Sequence, residues 1–230
     1  MKNQYFGDVN DFQKYGLLRA IARKSGLRLG ILWYLTIDDG SNDGGKRTFT
    51  ECHRKLDFEL CERLESVIRA ETNRTVGLAE DWNLISNATY FKSVVPADRV
   101  QRTEFFAQAR STLSNCDLIF VDPDNGIEVP SMALGRTNSV KYTYWHELEA
   151  LFAAGHSLLI YQHFRRVKRD DFMREVASEL RHKLKAEVVG LRTAHVGFFL
   201  AKQPGHIRHF SPVIEEIDLK WTGQIWRVDC

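Results

Sequence analysis

The passage that most limits the fold of this chain is Leu118-Ile-Phe-Val121-Asp122-Pro-Asp124-Asn125-Gly126-Ile-Glu128. In it, four apolar residues run straight into a carboxylate, a proline, two polar residues and a glycine. A short unbroken apolar run bounded by Pro and Gly reads as a strand buried on both faces, the kind that belongs to parallel sheets. Such sheets bind ligands just past the carboxyl ends of their strands. Asp122, Asp124, Asn125 and Glu128 are therefore expected at the mouth of a site. Asp, Pro, Asn and Gly are also ordinary turn residues. Three carboxylates within seven positions exceed what a turn requires.

The rest of the chain alternates in the manner of an α/β protein. Asp8 or Asn10 can cap a helix running to about Lys24, with Gly26 ending it. Leu29 to Leu35 reads as a buried strand, and a polar, glycine-rich loop through Asp38, Asp39, Gly40, Asp43 and Gly44 follows. Leucines at intervals of four predict a helix from about Cys52 to Glu71, and Thr75 to Pro96 is ambiguous. Further helices are expected over 103–113, 144–153 and 169–184, and strands over 117–121, 156–161, 186–191 and 196–201. The last thirty residues suggest a strand or turn region with Trp221 and Trp226. This order predicts one α/β domain over residues 1–230, with a helical lead-in over about 1–26. Its sheet would be doubly wound, mostly parallel and covered on both faces.

Composition narrows the function classes. The 230 residues carry a net charge of +2, so the chain is not a global polycation, and any nucleic-acid contact must be local. The run Arg165-Arg166-Val-Lys168-Arg169 is the candidate patch; it also reads as the solvated start of a helix. No segment has the roughly 18 consecutive apolar residues of a membrane span, and the first residues lack the apolar core of a signal peptide. Cys52, Cys61, Cys116 and Cys230 show no Cys-x-x-Cys spacing, which fits free thiols in a cytoplasmic protein.

Three strand ends are then expected to meet: the Asp38/Asp39/Asp43 loop, Asp122/Asp124, and Gln162/His163 after the strand at 156–161. The loop has neither Gly-x-Gly-x-x-Gly spacing nor the Lys-Ser/Thr pair of a phosphate-binding loop. Its aspartates suit hydroxyls, amines or a divalent cation.

Strand followed by Asp-Pro-x-x resembles the Asp/Asn-Pro-Pro-Tyr/Phe motif of S-adenosylmethionine-dependent amino-methyltransferases. Gly7-Asp8-Val-Asn10-Asp11-Phe-Gln-Lys14-Tyr15 is similar to the Asn-His-Ala-Asp-Val-Leu-Lys-His opening of a bacterial family that methylates adenine in large-subunit ribosomal RNA. Almost the whole chain resembles a set of bacterial proteins, of no assigned activity. These share Tyr-Phe-Gly-Asp-x-Asn-Asp, Asp-Asp-Gly-x-x-Asp-Gly, Asp-Pro-Asp-Asn-Gly and Tyr-Gln-His-Phe. The methyltransferase resemblance implies a class I, Rossmann-like sheet ending in an antiparallel pair. It implies S-adenosylmethionine held by Asp38, Asp39, Gly40, Asp43 and Gly44, and catalysis by Asp122, Asp124, Asn125 and His163. Asp124 replaces the motif's second proline and Asn125 its aromatic, so a base-stacking ring must come from Phe164 or a tryptophan.

Two other readings remain open from the residues. Asp122, Asp124 and Glu128, with Asp38 and Asp39, could hold Mg²⁺ or Mn²⁺ in a nuclease or phosphohydrolase, with His163 or His195 as acid or base. The site could also bind a nucleotide or metabolite without turning it over. Asp122, as a strand-end carboxylate, is expected to face solvent, so that Asp122→Asn abolishes activity while leaving the fold intact.

Overall fold

The Leu118–Val121 run is a strand at the heart of the sheet, with all four residues buried. Residues 1–40, 44–45, 48–70 and 74–229 are described by the computed structural model. In chain order the strands are β1 (Leu29–Leu32), β2 (Thr89–Phe91), β3 (Leu118–Val121), β4 (Gly126–Ile127), β5 (Tyr142–Thr143), β6 (Ser157–His163), β7 (Glu187–Arg192), β8 (Val196–Lys202) and β9 (Trp226–Val228). Seven of them form the main sheet in the order β2-β1-β3-β6-β8-β7-β9, and β4 pairs with β5 apart from it. β2, β1, β3 and β6 are mutually parallel, whereas β8 is antiparallel to both β6 and β7, and β9 to β7. The sheet is thus mostly parallel, helix-flanked and compatible with a Rossmann-like layout.

Alternation along β3 explains the two layers. Leu118 and Phe120 join a core with α1 (Val9–Lys24), α3 (Phe58–Ala70) and α8 (Ser211–Lys220) on one face. Ile119 and Val121 join a second core with α5 (Arg99–Thr112), α6 (Trp145–Ala153) and α7 (Arg169–Leu184) on the other. The chain leaves β1 for β2 on one side and reaches β3 on the other, so the winding reverses between β1 and β3. Crevices at such reversals are where open α/β sheets hold ligands.

Several expected boundaries shift for local reasons. The helix expected over 52–71 is broken into α2 (Glu51–Leu56) and α3 at Asp57. The Asp57 carboxylate accepts from the Leu60 backbone N–H at 3.1 Å and from Arg19 at 2.9 Å, so it starts a new helix. The ambiguous 75–96 region holds α4 (Gly77–Asp81) and β2. The strand or turn expected over the last thirty residues is overturned at Ser211–Lys220, which form α8, whereas Pro204–Phe210 form a 3₁₀ turn and Trp226–Val228 form β9. Pro212 sits in the first turn of α8, where its missing N–H costs nothing.

The N-terminal helix is no peripheral lead-in. Asp8 caps it by accepting from the Asn10 N–H at 2.6 Å, and ten of its residues are buried. It lies so close to α8 that a Cβ on Gly16 would overlap the Trp221 indole. Gly16→Ala is expected to lower stability by about 1–3 kcal/mol through overpacking, read as a drop in the urea midpoint with the slope unchanged.

Candidate functional site

Each parallel strand of the sheet's first half delivers its carboxyl end to one edge, and there a cavity of about 640 Å³ opens. Asp122, Asp124, Asn125 and His163 line it from β3 and β6, and Asp39 and Gly44 from the loop after β1. These residues were expected to converge, and the structure brings them together. Asp38 and Gly40 are exposed and are not among the lining residues. The Asp38 carboxylate instead accepts from the Gln4 N–H at 3.2 Å. Asp43 lies outside the described residues.

The turn after β3 is clamped by β6. The Gln162 side chain accepts from the Ile127 N–H at 2.8 Å and donates to the Asn125 carbonyl at 3.1 Å. The His163 N–H donates to that same carbonyl at 3.2 Å. This close approach requires Gly126: its φ is +111°, and a Cβ there would overlap the Gln162 amide. The Asp-Pro-Asp-Asn-Gly and Tyr-Gln-His segments are therefore two halves of one joint.

Glu128 departs from expectation. Carried past the turn by β4, its carboxylate accepts from the Trp145 N–H at 2.8 Å, at the start of α6. It satisfies a helix terminus and does not line the cavity. Among the described residues, no three His, Cys, Asp or Glu side chains are grouped to hold a metal ion. His195 is exposed in the β7–β8 turn, away from the lining. Phe164 packs edge-on to Phe172 and Trp221 is buried against Gly16, so neither supplies a ring to the cavity. Tyr5 and Tyr161 do.

The largest correction concerns Asp122. It is 2% exposed and does not face solvent. Lys14, reaching inward from α1, bonds Asp122 at 3.0 Å and Asp11 at 2.8 Å. The rings of Tyr15, Trp33 and Tyr161 surround the Lys14 ammonium at 5.5–5.8 Å. Burial alone would lower the Lys14 pKa, but the two carboxylates outweigh it and hold it raised. Removing one partner of such a buried group leaves an uncompensated charge, at a typical cost of about 3–5 kcal/mol. Asp122→Asn therefore acts on the fold as well as on chemistry. Asp124 accepts from Thr36 at 2.8 Å and pairs with the Met1 ammonium at 2.6 Å. Burial raises its pKa, but these partners more than offset that and hold it below the usual value.

The end of β1 is fixed by a second buried ion pair. Glu147 on α6 bonds Arg102 on α5 at 2.8 Å, and accepts from the Tyr34 hydroxyl at 3.1 Å and from the Tyr144 N–H at 2.9 Å. Tyr34 holds a left-handed backbone, φ +44°. For a bulky residue this persists only when its surroundings over-determine it, and the Glu147 network does so. Opposite, residues 2–6 are stitched to the β1 loop. Lys2 pairs with Asp39 at 2.5 Å, and the Asp39 N–H donates to the Gln4 side chain at 3.2 Å.

Among the described residues, His163 is the one imidazole lining the cavity. Desolvation lowers its pKa from the usual histidine value, and Asp124 and Asp122 oppose this only in part. One ring nitrogen, Nε2, lies 3.2 Å from the Tyr161 hydroxyl. Directly after it come Arg165, Arg166, Lys168 and Arg169, all exposed. Arg165 lies over the Phe172 ring and Arg169 over Phe164. Asp170 and Asp171 stand in the first turn of α7 and offset these cations at the helix's positive end.

Lys14, Asp11, Asn10, Lys2, Lys141 and Tyr5 line the cavity and were not expected there. Compared with family models, with curated proteins and with solved structures, the chain has no significant match.

Burial pushes the Asp11 carboxyl from 3.8 up to about 6, with Lys14 opposing only in part. A raised folded pKa gives stability that is complete below the unfolded value and is lost as pH rises through the folded one. The stability of wild type relative to Asp11→Asn is therefore expected to fall between about pH 4 and about pH 6 and then level off. Urea denaturation across that range checks this, and a difference independent of pH would contradict it.

Proposed function

We propose that this chain is an S-adenosylmethionine-dependent, methyltransferase-like enzyme acting on nucleic acid. The observation that carries the reading is the placement of the Asp122-Pro-Asp-Asn turn. It stands at the end of β3, next to the end of β1 across the winding reversal, and faces a cavity of about 640 Å³. That volume lies within the ordinary range for small-molecule and cofactor sites. Antiparallel β8 between β6 and β7 supports the same reading, because the methyltransferase resemblance implies an antiparallel pair on that side of the sheet, to which β9 adds an outer strand.

The residues present fit the cofactor's chemistry. Carboxylates and the Tyr5 and Tyr161 rings border the cavity and suit a ligand carrying a positive sulfonium. Asp39 and Gly44 border the same space from the β1 loop. When bound, the cofactor supplies an electrophilic methyl group. The chain's own part is to orient the acceptor and manage its proton. Asp122 and Asn125, held by Lys14 and by the Gln162 clamp, present polar atoms that take hydrogen bonds from an amine. His163, on the cavity wall, is placed to take up a proton. Tyr5 and Tyr161 offer the aromatic faces that Asn125 lacks for stacking on a base.

In a thermal-stability screen, S-adenosylmethionine and S-adenosylhomocysteine are expected to raise Tm without added metal. The stabilisation should be about 2.7 kcal/mol when ligand is at 100 times Kd. A rise with Mg²⁺ or Mn²⁺ and none with either cofactor form would replace this reading by the phosphohydrolase one. Cofactor binding without methyl transfer to any RNA or DNA would leave a binding protein.

The basic run follows β6 at the cavity edge and fits a phosphate backbone. RNA affinity is expected to fall with salt by about 0.7 in log–log slope per single-stranded phosphate contacted. An Arg165→Ala/Arg166→Ala double variant should show a shallower slope across a salt series. Equal slopes would remove the run from the interface.

A further inference from the structure

On the cavity wall, β6 carries a hydrogen bond that packing does not require. Val121 stands in register with Ile160, so the two chains pass on to Asp122 and Tyr161 side by side. Alternation along β6 turns Tyr161 and His163 to one face, and both line the cavity. Their rings meet edge-on with centroids 5.3 Å apart, and the Tyr161 hydroxyl lies 3.2 Å from His163 Nε2. Neither residue is sealed in the core: Tyr161 is half-buried and His163 is exposed. The Tyr161 ring is itself fixed, edge-on to Phe198 at 5.7 Å and with the Lys14 ammonium 5.8 Å from its centroid.

Chemistry sets the direction of that bond. A phenol is the more acidic donor and an imidazole nitrogen the more basic acceptor, so Tyr161 donates and Nε2 accepts. Nδ1 then carries the hydrogen of the neutral ring. The Tyr161 oxygen keeps its lone pairs for an amine that enters the cavity beside Asp122. The nearby carboxylates are otherwise engaged, Asp122 by Lys14 and Asp124 by the Met1 ammonium. An imidazole, by contrast, is suited to hold a proton near neutral pH.

We propose that Tyr161 is a catalytic residue that relays the proton of the acceptor amine to His163. The proposal rests on the methyltransferase-like reading above and names the route by which the proton leaves. On gaining a methyl group the acceptor nitrogen becomes a cation. Its N–H bond then breaks with the electron pair left on nitrogen, a new O–H bond forms on Tyr161, and the former tyrosyl hydrogen passes to Nε2. The positive charge ends on the imidazolium, a form that the charges of Asp124 and Asp122 favour. Tyr161 is neutral before and after, in keeping with a phenol whose pKa burial pushes well above its usual value.

Heteronuclear NMR of the imidazole nitrogens reads the pair without turnover, with the His163 signals assigned by their loss in His163→Gln. At alkaline pH wild type is expected in the Nδ1–H tautomer, and Tyr161→Phe is expected to shift towards the Nε2–H form. A wild-type ring protonated on Nε2 overturns the relay even if Tyr161→Phe fails to fold. An unchanged tautomer in folded Tyr161→Phe overturns it as well.

Transfer of a labelled methyl group from S-adenosylmethionine to pools of random single-stranded RNA and DNA reads the relay itself. Tyr161→Phe and His163→Gln are each expected to lower the rate about 100-fold or more, the usual worth of general acid–base catalysis. Their affinity for S-adenosylhomocysteine, measured by calorimetry, should stay at the wild-type value. The double variant is expected to lose no more than either single one, because the two side chains act as a unit. Losses that multiply in the double variant, or single variants with wild-type rates, overturn the relay and leave the methyltransferase reading standing. A wild type that binds no S-adenosylhomocysteine, or binds it and methylates neither pool, takes down both.

Discussion

The bridge from Lys14 to Asp11 and Asp122 is the constraint on which the site depends. It joins the first helix to the end of the central strand through a cation enclosed by three aromatic rings. A buried ion pair of this kind is weak evidence for stability, because desolvation offsets much of the attraction. Apolar residues of similar volume could hold α1 on the sheet as well. What they could not supply is a fixed carboxylate at the strand end with its remaining surface turned to a cavity. The arrangement suits function better than it suits packing.

The same division recurs around the cavity. Gln162 spends both ends of its amide on the backbone of the turn after β3, and Gly126 gives up a side chain to let it approach. Tyr34 keeps a left-handed backbone because Glu147 and Arg102 hold its ring within the α5/α6 layer. Local rules are broken at the ends of β1 and β3, where a ligand would sit. Violations of this kind concentrate at functional sites in natural proteins.

Much of this could be read from residues alone. The Leu118–Val121 run lacks periodicity, so it had to be buried on both faces, and strand polarity then brought Asp39, Asp122, Asp124, Asn125 and His163 to one edge. Side-chain direction was not readable. Glu128 counted as a third carboxylate by sequence distance, yet the short β4 pairing carries it to the α6 terminus. The role of Lys14 was invisible because its partner Asp122 lies 108 positions away. One trace was present: α1 is buried almost all round although Asp11, Gln13 and Lys14 interrupt its apolar face. A charged residue in such a helix has to find its partner inside. The helix at 211–220 was also legible, since Ser211-Pro212 is a standard helix start, and the expectation of a strand or turn there overlooked it.

The 108-residue span between Lys14 and Asp122 also orders events in time. During synthesis α1 emerges long before β3 and carries its ammonium in water until the sheet's centre exists to receive it. Contacts of such long sequence separation are closed only after local structure has formed, because the loop entropy must be met first. The cavity thus cannot close until β3 has joined the sheet, and a chain caught short of that step carries helices but no place for a ligand.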